Sequence, residues 1–82
     1  MSFKSKELIQ VIVESDLDNE NKIELLNRIY TNGHIKEGYY LKGNNEQGIE
    51  CWYRNGTDRG PTNFTPYDIL DVFKEDIKKK RR

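Results

Sequence analysis

The sequence has a single cysteine, so no disulfide can form within the chain, and the small disulfide-stapled secreted scaffolds are excluded. That absence points to a reducing, cytoplasmic setting. Long apolar runs are missing as well. None approaches the roughly 18 residues a bilayer span requires, so no membrane partner is expected. The opening MSFKSKELIQVIVES carries charge inside its apolar part and no small-residue cleavage site, which argues against a signal peptide. There is no GxGxxG, Walker-type loop, HExxH, CxxC or GxSxG. His34 is the one histidine and Cys51 the one thiol, and no orienting third group accompanies them. No catalytic site and no cofactor are expected. Asp16-x-Asp18-x-Glu20 imitates the start of a calcium loop, but Asn21 and Asn27 stand where that loop needs glycine and a bidentate acid, so no metal site is expected either.

Little is left over for a large core. Of 82 residues, 34% are hydrophobic and 34% charged, which suits one small domain near the lower size limit for a single core. Asn55-Gly56-Thr57 and Asn63-Phe64-Thr65 match the glycosylation acceptor pattern, which has no meaning in a cytoplasmic chain. The wealth of Asn, Lys and Ile resembles what AT-rich genomes encode and hints at a low-GC microbe or a phage. Net charge is zero, yet it is unevenly placed. Lys78, Lys79, Lys80, Arg81 and Arg82 carry +5, leaving −5 on residues 1–77. Residues 1–77 read as one compact domain and 78–82 as a basic tail continuing or fraying from the last helix.

What is present is concentrated between Gly38 and Asn55. Tyr39–Lys42 and Ile49–Arg54 are rich in β-favouring and aromatic residues and are bounded by glycines and asparagines, the mark of a hairpin. With Asn44-Asn45-Glu46 as a three-residue loop, Tyr39, Leu41, Ile49, Cys51 and Tyr53 share one face. Tyr40, Lys42, Glu50, Trp52 and Arg54 share the other. The first set is suited to packing under helices. The second sets aromatics beside cations, a pairing over-used at binding surfaces. The competing arrangement buries Trp52 under the following loop with Arg54 stacked on it.

The flanks read as helix. Residues 5–15 carry Leu8, Val11, Ile12 and Ser15 at helical spacing, with Ser5 as cap. A second helix covers Asn19–Thr31, capped by Asp18 and stopped at Asn32-Gly33, and it offers Ile23, Leu26, Ile29 and, at the margin, Tyr30 to the core. His34, just past that stop, is placed to satisfy terminal carbonyls. Thr65-Pro66-Tyr67-Asp68 opens a third helix with Thr65 as cap, Pro66 in the first turn and Asp68 closing the box. Its tail pairs Glu75 with Lys79 and Asp76 with Lys80.

The fold class is therefore α+β, a small single domain ordered α-α-β-β-α. The helices pack on one face of an antiparallel β-hairpin, with room for a short third strand between residues 56 and 65. The expected core is Leu8, Val11, Ile12, Ile23, Leu26, Ile29, Tyr39, Leu41, Ile49, Cys51, Ile69, Phe73 and Ile77. The leading functional expectation is a non-enzymatic protein-binding module that occludes its partner. Tyr40, Lys42, Trp52, Arg54 and Arg59 would make the contacts, and acids Glu14, Asp16, Asp18 and Glu20 would guide encounter. The alternative is a single-stranded nucleic-acid or RNA binder. In it Tyr40, Trp52 and Tyr53 stack bases, while Lys42, Arg54 and Lys78, Lys79, Lys80, Arg81 and Arg82 hold phosphates. A homodimer through the hairpin's outer edges is a third partner expectation.

Overall fold

The computed structural model describes residues 2–44, 46–55 and 57–80. Helix α1 covers Ser5–Val13 and α2 covers Asn19–Thr31, followed by strands β1 (His34–Lys36), β2 (Tyr39–Asn44), β3 (Gly48–Asn55) and β4 (Thr57–Pro61), then α3 (Pro66–Lys80). The four strands form one antiparallel sheet in the order β1-β2-β3-β4. The α+β class holds, with helices on one face of the sheet. Two strands flank the hairpin, β4 in the stretch reserved for a third strand and β1 in addition.

Local chemistry sets the helix limits. Helix α1 starts after Lys4, whose backbone N–H donates to the Glu7 carboxylate at 2.9 Å, so Ser5 is the first helical residue and not the cap. Asp18 occupies the cap position of α2 by backbone geometry, but its side chain makes no capping hydrogen bond. At the other end of α2, Gly33 takes φ +75° and its N–H donates to the Arg28 carbonyl at 2.9 Å. Helix α3 carries the reciprocal box that its sequence announces. The Thr65 N–H donates to Asp68 at 2.9 Å, and the Asp68 N–H donates to Thr65 Oγ1 at 3.3 Å.

The register of β2 on β3 is Tyr39↔Tyr53, Tyr40↔Trp52, Leu41↔Cys51, Lys42↔Glu50, Gly43↔Ile49 and Asn44↔Gly48. Asn44 pairs with Gly48 and so belongs to β2 and not to the loop. The parity of the pairing is unchanged, and the two faces hold the residues that alternation assigns them. The strand residues Ile35, Ile49 and Cys51 join Leu8, Ile12, Leu25, Ile69 and Phe73 in one buried cluster. Phe3 belongs to that cluster too. It bridges to Ile49 through hydrogen bonds of 3.0 and 2.7 Å, beyond the reach of β4. Thr62 donates from both N–H and Oγ1 to the Cys51 carbonyl, at 2.8 and 3.0 Å, and so brings Phe64 into a stack on Tyr39 with ring centroids 5.4 Å apart.

Two core assignments on α2 are corrected. Ile23 is 59% exposed and Tyr30 is 69% exposed, while Leu25 is fully buried. Two residues along a helix are about 200° apart in direction. Once Leu25 turns inward, Ile23 faces out. What turns that side inward is Arg28. Its guanidinium donates from Nη1 to the Ile35 carbonyl at 2.8 Å and to Asp76 of α3 at 3.0 Å, and it lies 5.0 Å from the centre of the Phe73 ring. One side chain thereby ties α2 to β1 and α3.

The outer edges of the hairpin, expected to pair in a homodimer, are taken by β1 and β4. The edges that remain are poor templates for strand addition. β1 has three residues, and β4 is broken by Gly60 at φ +93° and ends in Pro61, which has no N–H to donate.

Candidate recognition surface

The register builds a row that no single strand contains. His34 pairs with Tyr40, Tyr40 with Trp52, and Trp52 with Pro61, one residue from each of the four strands. Directly paired residues share a face, and this is the face opposite the buried cluster. At a strand spacing of about 4.8 Å, four ring-bearing side chains span roughly 14 Å across the sheet. The His34 and Tyr40 ring centroids are 6.4 Å apart. His34 is exposed, and Tyr40 and Trp52 are half-buried. The histidine thus opens β1 and does not serve the end of α2. Asn32 is the C-cap there, its backbone N–H donating to the Arg28 carbonyl at 3.3 Å while its Oδ1 accepts from the His34 N–H at 2.9 Å.

Charged residues flank the row. Lys42 and Glu50 are paired on one side, and exposed Arg54 lies on the other. Both members of the first pair fix the indole. Trp52 Nε1 donates to Glu50 at 3.1 Å, and Lys42 Nζ sits 4.5 Å from the Trp52 ring centre. The cation over the indole is Lys42. Held on one edge and one face, the ring is preorganised rather than sealed in.

The other candidate residues are distributed elsewhere. Arg59 is exposed and lies in the irregular step of β4 between the Arg54↔Asp58 and Trp52↔Pro61 pairs, so the register does not bring it into the row. Tyr53 packs at 5.2 Å against Tyr39 on the helix side of the sheet and does not join Tyr40 and Trp52. The acids cluster around the α1–α2 joint, away from the row. Glu14 accepts from Gln10 at 2.7 Å, Asp18 precedes α2, and Glu20 lies in its first turn. Asp16 meets Lys74 at 2.8 Å, and that hydrogen bond with its charge holds the carboxyl below the usual aspartate range. In the tail, Lys78 and Lys79 are exposed and Lys80 is the last helical residue, while Arg81 and Arg82 lie outside the described residues. Glu75 comes within 4.0 Å of Lys36, and Asp76 serves Arg28.

Cys51 is buried, and burial pushes its thiol up to about 11, so it stays protonated and inert. Among the described residues, no three His, Cys, Asp or Glu side chains converge as a metal site would need, and no helix is long and apolar enough to cross a membrane.

His34 and Pro61 were not legible as members of this surface. Neither lies in the hairpin, and only the pairing of β1 and β4 brings them beside the aromatics. No protein-family model matches this chain, and no match was found among curated proteins or solved structures.

Proposed function

We propose that the open sheet face is a docking surface for another protein, and that the chain is a non-enzymatic binding module of the inhibitor, adaptor or immunity type. The observation that carries this reading is the row His34–Tyr40–Trp52–Pro61, with its indole already oriented by Glu50 and Lys42. Rigid aromatics framed by charge supply large contact area at low ordering cost, which is the composition of binding hot spots. The chain would work by covering a partner's surface one to one in a reducing cytoplasm, a role that suits a phage or mobile-element product. Its single thiol, buried and protonated, is compatible with that compartment.

Single-strand binding has less support. The carboxylate of Glu50 stands beside the indole, Lys42 occupies one of its faces, and Tyr53 points to the other side of the sheet.

The test is capture from host lysate by wild type and by Trp52→Ala, with and without nuclease. Capture should survive nuclease and fall by about tenfold or more in the variant, equivalent to about 1.4 kcal/mol. The thermal midpoint of Trp52→Ala should stay within a few degrees of wild type. Capture abolished by nuclease, or unchanged in the variant, refutes the proposal.

A further inference from the structure

A second surface lies on the helical side, independent of the sheet face. Between α1 and α3 runs a groove of about 630 Å³. Phe3, Val11 and Leu70 form its floor, and Tyr67 stands at its wall with 68% of its surface exposed. Glu7 and Glu14 line the α1 side. Among the described residues, neither carboxylate has a Lys or Arg within 4.0 Å. Glu7 lies in the first turn of α1 and Glu14 is its C-cap, so their backbones are about two helical turns, or about 10.5 Å, apart along the axis.

Each carboxylate holds one hydrogen bond, Glu7 from the Lys4 N–H and Glu14 from Gln10, but neither faces a cation, and an apolar floor edged by two such acids favours a basic occupant. We infer that this groove docks a cationic amphipathic helix of a partner protein. The helix would have apolar residues three and four apart for the floor and Lys or Arg seven apart to meet Glu7 and Glu14. The spacing matches because a docked helix repeats its face with the same two-turn period as α1. Charge complementarity extends beyond the two contacts. Residues 1–77 carry −5 overall, and exposed Asp18 and Glu20 add to the field at the joint beyond α1. The chain's own basic tail in a second copy is a poorer fit. Its nearest apolar residue, Ile77, is already packed against the core of its own molecule.

The probe is a synthetic, end-blocked helical peptide of about 15 residues, long enough to hold a helix once bound. It carries two Lys seven apart with Leu at the intervening three-and-four positions, and its control is a scramble of identical composition. In fluorescence anisotropy the patterned peptide should bind at least about tenfold more tightly than the scramble. E7Q/E14Q should weaken it about fivefold or more, and the amide that replaces the first carboxylate keeps an oxygen with which to cap α1. Tyr67→Ser should weaken it similarly. Trp52→Ala should leave it unchanged. Amide shifts on titration should fall on residues 7–15 and 66–71. Equal affinity for the scramble, or shifts centred on β2 and β3, overturns the inference. So does sedimentation showing that the full chain dimerises in a way E7Q/E14Q abolishes, because the occupant is then a second copy.

Discussion

Replacing Arg28 with alanine should cost this domain about 2–4 kcal/mol. The guanidinium donates to Asp76 at 3.0 Å and to the Ile35 carbonyl at 2.8 Å, with both charged side chains only 20% exposed. A hydrogen bond involving a charged group contributes about 1.5–3 kcal/mol, and the Ile35 carbonyl would lose its side-chain donor. The Phe73 stack at 5.0 Å adds about 0.5–1 kcal/mol. Glu24, at 3.5 Å and 52% exposed, should add almost nothing. Residual exposure of the Arg28–Asp76 pair discounts the sum, which gives the stated range. A domain of this size has about 4–12 kcal/mol in total, so the loss is a large fraction of it. Urea denaturation is the assay. With a slope near 1.5 kcal/mol/M, the midpoint should fall by about 2 M. A double-mutant cycle with Asp76→Ala should give a coupling of about 1–2 kcal/mol, while Glu24→Ala stays within about 0.3 kcal/mol of wild type. If Arg28→Ala costs less than about 1 kcal/mol, or Glu24→Ala costs as much as Asp76→Ala, the guanidinium does not tie the three elements together.

Cys51 should resist a thiol reagent at pH 8 in the native state and react at once in denaturant; fast native labelling would refute its burial. Because its folded pKa of about 11 lies above the ordinary 9.0, the neutral thiol's contribution is complete below pH 9 and is lost as pH rises through the folded value. Asp68→Ala should cost about 1 kcal/mol through loss of the Thr65 box, read as a melting-point drop of about 4–8 °C. An unchanged melting point would mean that α3 starts without the box. Gly43→Ala should cost at least about 2 kcal/mol in urea unfolding. Gly43 has φ +123°, and an added Cβ would lie 2.5 Å from the Gly48 carbonyl oxygen. A smaller cost would mean that the hairpin tip shifts easily.

The parts of the fold legible in the sequence are those specified locally. Thr65-Pro66 and Asp68 begin α3 through bonds three residues long, and Asn32-Gly33 stops α2 where glycine accepts positive φ. The face assignment of Tyr40 and Trp52 survives a shifted loop because parity alone determines it. The parts missed are specified at a distance. His34-Ile35-Lys36 is too short to show alternation and is a strand because β2 offers it an edge. Ile23, Leu25, Leu26 and Ile29 span an arc of about 160° on α2 with Ile23 and Leu25 at its two ends, and the bonds of Arg28 to β1 and α3 turn the Leu25 end inward. The four-membered ring row was half visible for the same reason: Tyr40 and Trp52 belong to the hairpin, while His34 and Pro61 arrive through pairing.

The bridge between Phe3 and Ile49 covers a stretch of β3 that β4 does not reach. Along its outer side β3 is guarded in two instalments, by β4 from Trp52 to Asn55 and by a single residue near the hairpin tip. Prising that residue away would uncover both an apolar side chain and a vacant pair of backbone groups in one motion. The third position of the chain thus behaves as a clasp, and loosening it would convert a finished sheet into a seed for strand-by-strand self-assembly.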